Sequence, residues 1–396
     1  MQRCKYLIIG GGLAADAAMR GIREVDGSGS ILAVSEEEDP PYNRPPLSKA
    51  LWKGTAIDSI WRHTELICAE LRLGSKIVSL DRTSKTAIDA AGNSFAYDRL
   101  LLATGGSPRR IRDADSSVIY FRRLADFKRA WEFASHGAEF AVVGGGFIGS
   151  ELAAALAMNG RKVSLIFPGA CIGDRLYPRP LANFLNLYFR KHGVDVRFSE
   201  RVERVDRETE TDKLVVRTDG NGGLAVDAVV AGVGIEPNVD LAEFAGLMVR
   251  DGVLVDEMLR TSDPDIYAAG DVANFPCRSL EKRLRFEHED NAEAMGRTAG
   301  HNMAGRSEAY QHLPFFYSDL FDLGYEAVGE IDSGLETIED WVQKFHKGVI
   351  YYLADNCVQG VLLWNIWGQV EAARELIKSR RQQKPGELIG RLREGK

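Results

Sequence analysis

Gly10, Gly12 and Ala15 have the spacing of a turn that binds the phosphates of a dinucleotide. They follow four apolar residues, so the pattern predicts a strand, a tight turn and a helix. Gly10 permits the turn, Gly12 lets a pyrophosphate reach the backbone, and Ala15 lets the helix pack closely. The first helical amides, those of Leu13 and Ala14, would then face the phosphates.

An acidic residue follows at the place where such a unit binds ribose. Residues 31–34 are apolar and predict a second strand that leads to Glu36. A carboxylate there accepts hydrogen bonds from ribose hydroxyls. The combination predicts a dinucleotide site, and the alternative is an ordinary glycine-rich turn.

The same arrangement recurs in the middle of the chain. Residues 139–143 predict a strand, and residues 152–157 predict a helix. Between them lie Gly144, Gly146 and Gly149, with Phe147 and Ile148 inside the pattern. Two such units in one chain favour electron transfer between two bound nucleotides. The alternative is a repeat that no longer binds.

The second unit lacks the acid that should follow its second strand. That strand is predicted at residues 163–167, and Gly169 occupies the expected position. A carboxylate there would favour NADH, and an arginine would favour NADPH. Arg175 could serve a phosphate, or it could be a solvated loop residue. The sequence therefore leaves the choice between NADH and NADPH open.

A proline-rich stretch follows the first unit, with four prolines among residues 40–46. Prolines exclude a helix and predict a stiff extended path. This path could hold Arg44 beside a phosphate and Lys49 beside the edge of a flavin, where negative charge appears on reduction. The alternative is a rigid surface loop.

Three further stretches could carry chemistry. Thr104 and Gly105 end a predicted strand where the chain crosses between domains. Gly270 and Asp271 follow another short strand, and the carboxylate suits a ribityl hydroxyl or a helix N-cap. His288 opens a helix that runs to about residue 303, whose positive end could stabilise a reduced flavin.

Composition excludes several classes of protein. The 396 residues carry a net charge of -7, which argues against a nucleic-acid partner. No apolar run reaches the length of a membrane span, so we expect no membrane segment. The first strand begins close to Met1, which leaves no room for a signal peptide and predicts a cytoplasmic protein. Five isolated cysteines fit a reducing compartment, and the spacing of histidines and carboxylates predicts no metal site.

The last part of the chain is richer in aromatic residues. Residues 315–317, 348–353 and 360–365 predict a small antiparallel sheet, and residues 368–379 predict a helix. A basic tail follows, which we expect to be solvated or disordered. A docking patch for an acidic partner protein is the alternative.

Together these residues resemble the FAD-dependent pyridine-nucleotide oxidoreductases of the glutathione-reductase fold. Within that family the chain is similar to apoptosis-inducing factor and to the ferredoxin reductases of bacterial oxygenase systems. The resemblance covers the whole chain and rests on these segments: 44–49, 103–105, 144–151, 269–271, 287–288 and 317–320. It implies an α/β fold with two Rossmann-like dinucleotide-binding domains and a small C-terminal α+β domain. The implied segments are FAD-binding (1–117 and 237–311), NAD(P)H-binding (118–236) and C-terminal (312–396).

The family also implies roles for individual residues. Lys49 would lie by the flavin N5 and pair with Glu151, while Phe147 would lie against the flavin or nicotinamide face. The residues implied to hold FAD are Gly10, Gly12, Leu13, Ala14, Ala15, Glu36, Arg44, Ile77, Thr104, Gly105, Arg122, Gly270 and Asp271. Those implied to border the nicotinamide nucleotide are Gly144, Gly146, Ile148, Gly149, Gly234, Glu287, His288, Tyr317, Glu326 and Asn365.

The resemblance predicts that NADH or NADPH reduces FAD and that electrons then pass to a small iron–sulfur protein. A slow redox sensor with nucleotide-controlled oligomerisation and a quinone or oxygen reductase are the alternatives. Tyr317 stands where the family usually has tryptophan, so stacking near the flavin should differ. Disulfide reduction is not expected, because the proline stretch replaces the cysteine pair of the disulfide reductases. The sequence does not decide between a monomer and a homodimer.

Overall fold

The computed structural model describes residues 1–220 and 222–393. The chain forms two compact units. The first unit comprises residues 1–43, 58–107 and 236–315, and the second comprises 44–57, 108–235 and the chain from 316 onward. The four-segment division that the resemblance implies stays a prediction.

The strands, in chain order, are β1 (Gln2–Ile9), β2 (Ile31–Val34), β3 (Glu70–Arg72), β4 (Ile77–Asp81), β5 (Thr86–Asp89), β6 (Ser94–Leu102), β7 (Gly106–Pro108), β8 (Ile119–Tyr120), β9 (Phe140–Val143), β10 (Val163–Phe167), β11 (Val194–Phe198), β12 (Val202–Arg207), β13 (Leu214–Thr218), β14 (Gly223–Val226), β15 (Ala228–Ala231), β16 (Ile235–Pro237), β17 (Val253–Leu254), β18 (Ile266–Ala268), β19 (Ala273–Cys277), β20 (Lys282–Leu284), β21 (Phe315–Leu320), β22 (Leu323–Gly329), β23 (Glu336–Gln343), β24 (Lys347–Ala354) and β25 (Cys357–Trp364). The helices are α1 (Leu13–Val25), α2 (Leu124–Ser135), α3 (Phe147–Met158), α4 (Arg179–Lys191), α5 (Asp240–Phe244), α6 (Glu289–Met303), α7 (Val370–Lys378) and α8 (Pro385–Leu388).

The first unit is built on a sheet of order β3-β2-β1-β6-β5-β4, with β18 also paired to β6. Strands β3, β2, β1, β6 and β18 are parallel. Their apolar runs are buried, as in a sheet that is covered on both faces. Helix α1 packs closely on α6, since a β-carbon on Gly296 would lie 2.3 Å from the carbonyl oxygen of Ala14. The predicted strand, turn, helix and strand are therefore present.

The second unit repeats this plan. Strands β11-β10-β9-β15-β8 form a parallel sheet, and α3 follows β9 as α1 follows β1. A separate antiparallel sheet, β12-β13-β14, contributes Val216 and Val226 to a buried cluster with Val229 of β15. Both predicted dinucleotide-type sheets are confirmed.

The C-terminal part of the second unit is an antiparallel sheet of order β21-β22-β25-β24-β23. Its interior is aromatic, and Trp364 stacks on Tyr325 with ring centroids 5.4 Å apart. Helix α7 turns Leu376 and Ile377 into the core. The fold is thus α/β with two dinucleotide-type sheets and a C-terminal domain, as predicted.

The extended path predicted for the proline stretch is wrong in its second half. Pro45–Ser48 and Ala50–Lys53 form two short 3-10 helices. Pro45 and Pro46 occupy the first positions of the first helix, where the missing N–H groups have no intrahelical partner to lose. Prolines therefore start this turn instead of preventing it.

The basic side chains of the tail are exposed, as expected for a solvated end, but the tail is not disordered over the residues that the structure describes. Leu388 and Leu392 are buried, and the carboxylate of Asp340 in β23 accepts a hydrogen bond from the Gly390 amide at 2.7 Å. Arg393 pairs with the same carboxylate. Because two leucines among the basic residues bury apolar area, the segment docks although its composition is polar.

Replacing Leu388 by Ala tests this docking. Leu388 is fully buried, so we expect the free energy of unfolding to fall by about 2–4 kcal/mol. Ile389→Ala is the matched control, since Ile389 is exposed and its truncation should cost less than about 0.5 kcal/mol. Urea unfolding of the FAD-saturated protein measures both variants, and equal losses would contradict the docked arrangement.

Candidate functional site

The glycine turn of the first unit has the geometry that its sequence predicts. Gly10 has φ +134°, and a β-carbon there would lie 2.1 Å from the carbonyl oxygen of Ala103. Gly12 is the N-cap of α1 and supplies no side chain to the helix end. The amides of Leu13 and Ala14 therefore begin a helix whose first N–H groups have no intrahelical acceptor. Such an end attracts a phosphate.

The carboxyl ends of the first unit's parallel strands lie at one edge of its sheet. Ile9 is in register with the last residues of β2 and β6, and the last residue of β18 is in register with that of β6. The segments that follow these strands carry Gly10, Glu36, Thr104 and Gly270. Ligands of open α/β sheets bind at this edge, so the topology brings four predicted sites together.

The turn after β6 is held by a residue that the sequence did not single out. The Thr104 hydroxyl donates to the Asn238 carbonyl oxygen at 2.9 Å, and the Asn238 amide donates to the Thr104 carbonyl oxygen at 2.8 Å. The Asn238 backbone N–H also donates to the Gly105 carbonyl oxygen. The sequence predicted only that Asn238 lies in a loop, because no local pattern links it to Thr104, which is far away in the chain.

The Gly270 turn lies against α1. Gly270 has φ +79°, and a β-carbon there would lie 2.9 Å from that of Ala14. Asp271 leads into β19, so it is not the N-cap of a helix. This position leaves the ribityl role of its carboxylate as the remaining prediction.

The other predicted residues of the first unit are more dispersed. Glu36 is half-exposed, with Lys76 Nζ 3.8 Å from its carboxylate, and Ile77 is buried at the start of β4. His288 is the N-cap of α6, and Glu287 accepts a hydrogen bond from Arg285 at 2.5 Å. The uncapped end of α1 and the acids at the sheet edge fit the phosphates and hydroxyls of FAD.

The glycine loop of the second unit has the same arrangement as the glycine turn of the first. Gly146 is the N-cap of α3, and a β-carbon there would meet open space. Gly149 could carry no side chain, because its β-carbon would lie 1.8 Å from the Gly144 carbonyl oxygen. Phe147, Ile148 and Gly149 form the first turn of α3, and the glycine N-cap leaves room for a phosphate at this helix end.

A buried ion pair lies on the side of α3. Lys49 Nζ is 2.7 Å from Glu151 Oε2, with the two side chains 9% and 2% exposed. Ser48 donates to the same oxygen at 2.6 Å, and Ser318 donates to Oε1 at 2.7 Å. Lys49 sits between the two 3-10 helices, so the proline turn aims its side chain. The pairing that the resemblance implies is present.

Two tyrosines extend this network into the core. The Tyr177 hydroxyl donates to that of Tyr325 at 2.8 Å, and Tyr325 hydrogen-bonds Ser318. Burial raises the pKa of both tyrosines above the usual range. Ser48, Ser318 and these tyrosines were not predicted as functional residues, because only the tertiary fold links them to Glu151.

Aromatic residues border the ion pair. Phe147 packs edge-on against Phe316 at 5.0 Å between ring centroids. Lys49 Nζ lies 5.1 Å from the centroid of Tyr317, which is 37% exposed. Tyr317 thus offers an accessible ring beside a fixed ammonium, whereas Phe147 is held at the start of α3.

The remaining predicted residues of the second unit divide into two groups. Arg44 donates to the Arg122 carbonyl oxygen at 3.1 Å, so these two residues lie close together, and their role in holding FAD stays a prediction. Asn365 is instead part of a local clamp, since its amide oxygen accepts from Gly324 N and its NH₂ donates to the His346 carbonyl oxygen. Gly234 accepts a hydrogen bond from Arg109 N.

Glu326 has an unusual environment. Its Oε2 is buried and has no hydrogen-bond partner among residues 1–220 and 222–393. Burial raises its pKa, against the opposing hydrogen bond from the Gly368 amide. An unpartnered carboxyl oxygen fits the amide group of a nicotinamide, which donates hydrogen bonds.

Comparison with known proteins identifies the class. The model of the pyridine nucleotide-disulphide oxidoreductase family matches residues 4–296, and the chain belongs to this family. The model of the C-terminal domain of mitochondrion-associated apoptosis-inducing factor matches residues 299–344 and 339–379.

Individual relatives show which members of this family the chain is similar to. The chain is 35% identical over 424 residues to apoptosis-inducing factor 1, mitochondrial, of Dictyostelium discoideum, covering 96% of this chain and 79% of that protein. It is 31% identical over 394 residues to the ferredoxin–NAD(+) reductase component of the anthranilate 1,2-dioxygenase system of Burkholderia cepacia, covering 97% and 96%. The reductase in a covalent putidaredoxin reductase–putidaredoxin complex superposes with a TM-score of 0.91 at 29% identity, covering 98% and 96%.

These findings confirm the predicted class, an FAD-dependent NAD(P)H oxidoreductase.

The cysteines Cys4, Cys68, Cys171, Cys277 and Cys357 form no disulfide bonds. Within the described ranges, no cluster of histidine, cysteine or carboxylate side chains could hold a metal ion. None of the helices in those ranges is both long and apolar enough to cross a membrane.

Removing Glu151 tests the ion pair itself. Glu151→Ala leaves the Lys49 ammonium buried without its partner, so we expect the free energy of unfolding to fall by about 3–5 kcal/mol. Replacing both residues, as Lys49→Met with Glu151→Leu, should recover most of that loss. Glu132→Ala, an exposed glutamate on α2, is the control and should stay within about 0.5 kcal/mol of the original. A Glu151→Ala variant as stable as this control would contradict a buried pair.

Proposed function

We propose that this oxidoreductase passes electrons from NAD(P)H through FAD to a small iron–sulfur protein. When bound, FAD supplies the ability to take a hydride from the nicotinamide nucleotide and to release electrons one at a time. The protein contributes placement and charge. In this proposal the α1 end holds the FAD pyrophosphate, Glu36 a ribose, Asp271 a ribityl hydroxyl, and Arg44 with Arg122 a phosphate.

The observation that carries the proposal is the buried Lys49–Glu151 pair. Glu151 holds Lys49 Nζ at 2.7 Å, and Ser48 and Ser318 each donate a further hydrogen bond to its carboxylate. A positive charge held this rigidly costs little reorganisation when negative charge develops beside it. We assign Lys49 to the flavin N5 edge, with Glu151 as its positioning residue and Phe147 on the face of a ring.

An iron–sulfur acceptor is supported by the names of the relatives. The Burkholderia cepacia relative is a ferredoxin–NAD(+) reductase component, and the reductase of the superposed structure is bound to putidaredoxin. Both align with nearly the whole of this chain. We extend the same acceptor class to this protein, and we propose a cytoplasmic location.

A second candidate function is a slow redox sensor. It is supported by the C-terminal match to apoptosis-inducing factor, which covers most of the sheet β21–β25 and α7. In that case the reduced, nucleotide-bound protein would persist and change its partners or form a homodimer. Turnover with an acceptor distinguishes the two functions.

Lys49→Ala tests the assigned charge. Without the ammonium, we expect reduction of the bound FAD by NADH or NADPH to slow on the order of 100-fold, as for other fixed groups that stabilise developing charge. Ser48 and Ser318 still donate to Glu151 in the variant, but its carboxylate loses the buried partner charge, so the FAD content of the purified variant is measured before its kinetics. Lys53→Ala is the matched control, because Lys53 is a half-exposed lysine four residues away. An unchanged single-turnover rate in Lys49→Ala would remove Lys49 from the mechanism.

The acceptor is tested by steady-state turnover. We expect the protein to reduce a two-iron ferredoxin with NADH or NADPH much faster than it reduces oxygen. Size-exclusion chromatography with and without reduced nucleotide runs in parallel. Poor turnover, a long-lived reduced complex and a change of size would instead favour the sensor.

A further inference from the structure

The end of β10 lacks the carboxylate that usually recognises ribose in a dinucleotide-binding unit. β10 pairs in parallel with β9, and Ile166 is in register with Val143, which precedes the glycine loop. The adenosine ribose of a bound dinucleotide lies beyond this pair of strand ends. Gly169 occupies the customary position of the acid and offers no side chain.

Another carboxylate fills the space beside Gly169. A β-carbon on Gly169 would lie 2.4 Å from Asp174 Oδ2, 2.9 Å from its Cγ and 3.1 Å from Oδ1. The Asp174 carboxylate therefore lies where a side chain at residue 169 would begin. Glycine at 169 and aspartate at 174 are sterically linked, because a larger residue at 169 would displace that carboxylate.

The loop that carries Asp174 is fixed on both sides. Its Oδ2 accepts a hydrogen bond from the Ala170 amide at 3.2 Å, and Gly173 N donates to the Gly145 carbonyl oxygen at 3.0 Å. Ser333 Oγ donates to the Asp174 carbonyl oxygen at 2.7 Å. The backbone next to Asp174 is thus tied through Gly173 to the loop that would bind the pyrophosphate, and the carboxylate itself is held by the Ala170 amide.

We propose that Asp174 takes the place of the missing strand-end acid and selects NADH over NADPH. This inference rests on the proposed binding of a nicotinamide nucleotide by the second unit. Asp174 would accept hydrogen bonds from the ribose 2′- and 3′-hydroxyls, and its charge would repel a 2′-phosphate. Arg175, which could attract that phosphate, has an exposed side chain on the next residue.

Calorimetric titration with ADP-ribose and 2′-phospho-ADP-ribose tests the proposal on the FAD-bound protein. We expect the original protein to bind ADP-ribose at least about tenfold more tightly, and Asp174→Asn to lose roughly tenfold of that preference. Asn retains an oxygen that can accept from the Ala170 amide, so the loop should keep its path. Asp212→Asn is the control for net charge, since Asp212 is 85% exposed on the β12–β13 hairpin.

A variant that moves the carboxylate from residue 174 to residue 169 separates the effect of the charge from that of the loop. Asp174→Gly alone should lose the preference, and Gly169→Glu combined with Asp174→Gly should restore it, because the carboxylate returns to the strand end. A preference for the 2′-phosphate ligand in the original protein, or an unchanged ratio in Asp174→Asn, would overturn the role of Asp174. If neither ligand binds and neither nucleotide reduces FAD, the proposed function itself fails.

Discussion

The buried contact between Lys49 and Glu151 is the constraint on which the rest of the second unit depends. It joins the segment at residues 44–57 to α3 and, through Ser318, to the C-terminal sheet. An ion pair this deeply buried costs desolvation, and it is tolerated because Lys49, Ser48 and Ser318 all donate hydrogen bonds to the carboxylate. The 3-10 turn, the glycine loop and the C-terminal sheet therefore have to form together for Lys49 to be held in place. The position of the Lys49 ammonium therefore depends on all three of these segments.

The two parallel sheets share one arrangement at the end of the central strand. Each ends its central strand in a glycine turn, and each begins the following helix with a glycine N-cap that leaves the helix end open. They differ in how ribose would be recognised. In our proposals the first sheet would use Glu36, two residues after β2, whereas the second would use Asp174, whose carboxylate lies beside Gly169 near the end of β10. If both proposals hold, one displaced side chain is enough to change how a similar backbone recognises ribose.

Much of this organisation follows from local sequence. Apolar strands that run into closely spaced glycines predicted both dinucleotide-type sheets, because strand, turn and helix are each set by neighbouring residues. The Lys49–Glu151 pair followed only from the family resemblance, since no local rule links residues so far apart. Local rules failed where tertiary contacts decide the outcome. Prolines were expected to keep residues 45–48 extended, yet they start a 3-10 turn. The basic tail was expected to be solvated or disordered; its charged side chains are exposed, yet Leu388 and Leu392 dock it. Local sequence rules assign no role to Asn238 or Asp174, because the partners of both residues are set by loop geometry.

Hydride transfer from a reduced nicotinamide to the FAD of this protein is the step on which the proposed function depends. The most direct measurement is anaerobic rapid-mixing of the FAD-bound protein with NADH and with NADH deuterated at the transferred position of C4. We expect the flavin absorbance to bleach at a rate that saturates with nucleotide concentration and is slower for the deuterated form. Flavin that stays oxidised at saturating NADH and NADPH, or a protein that does not retain FAD, would contradict it.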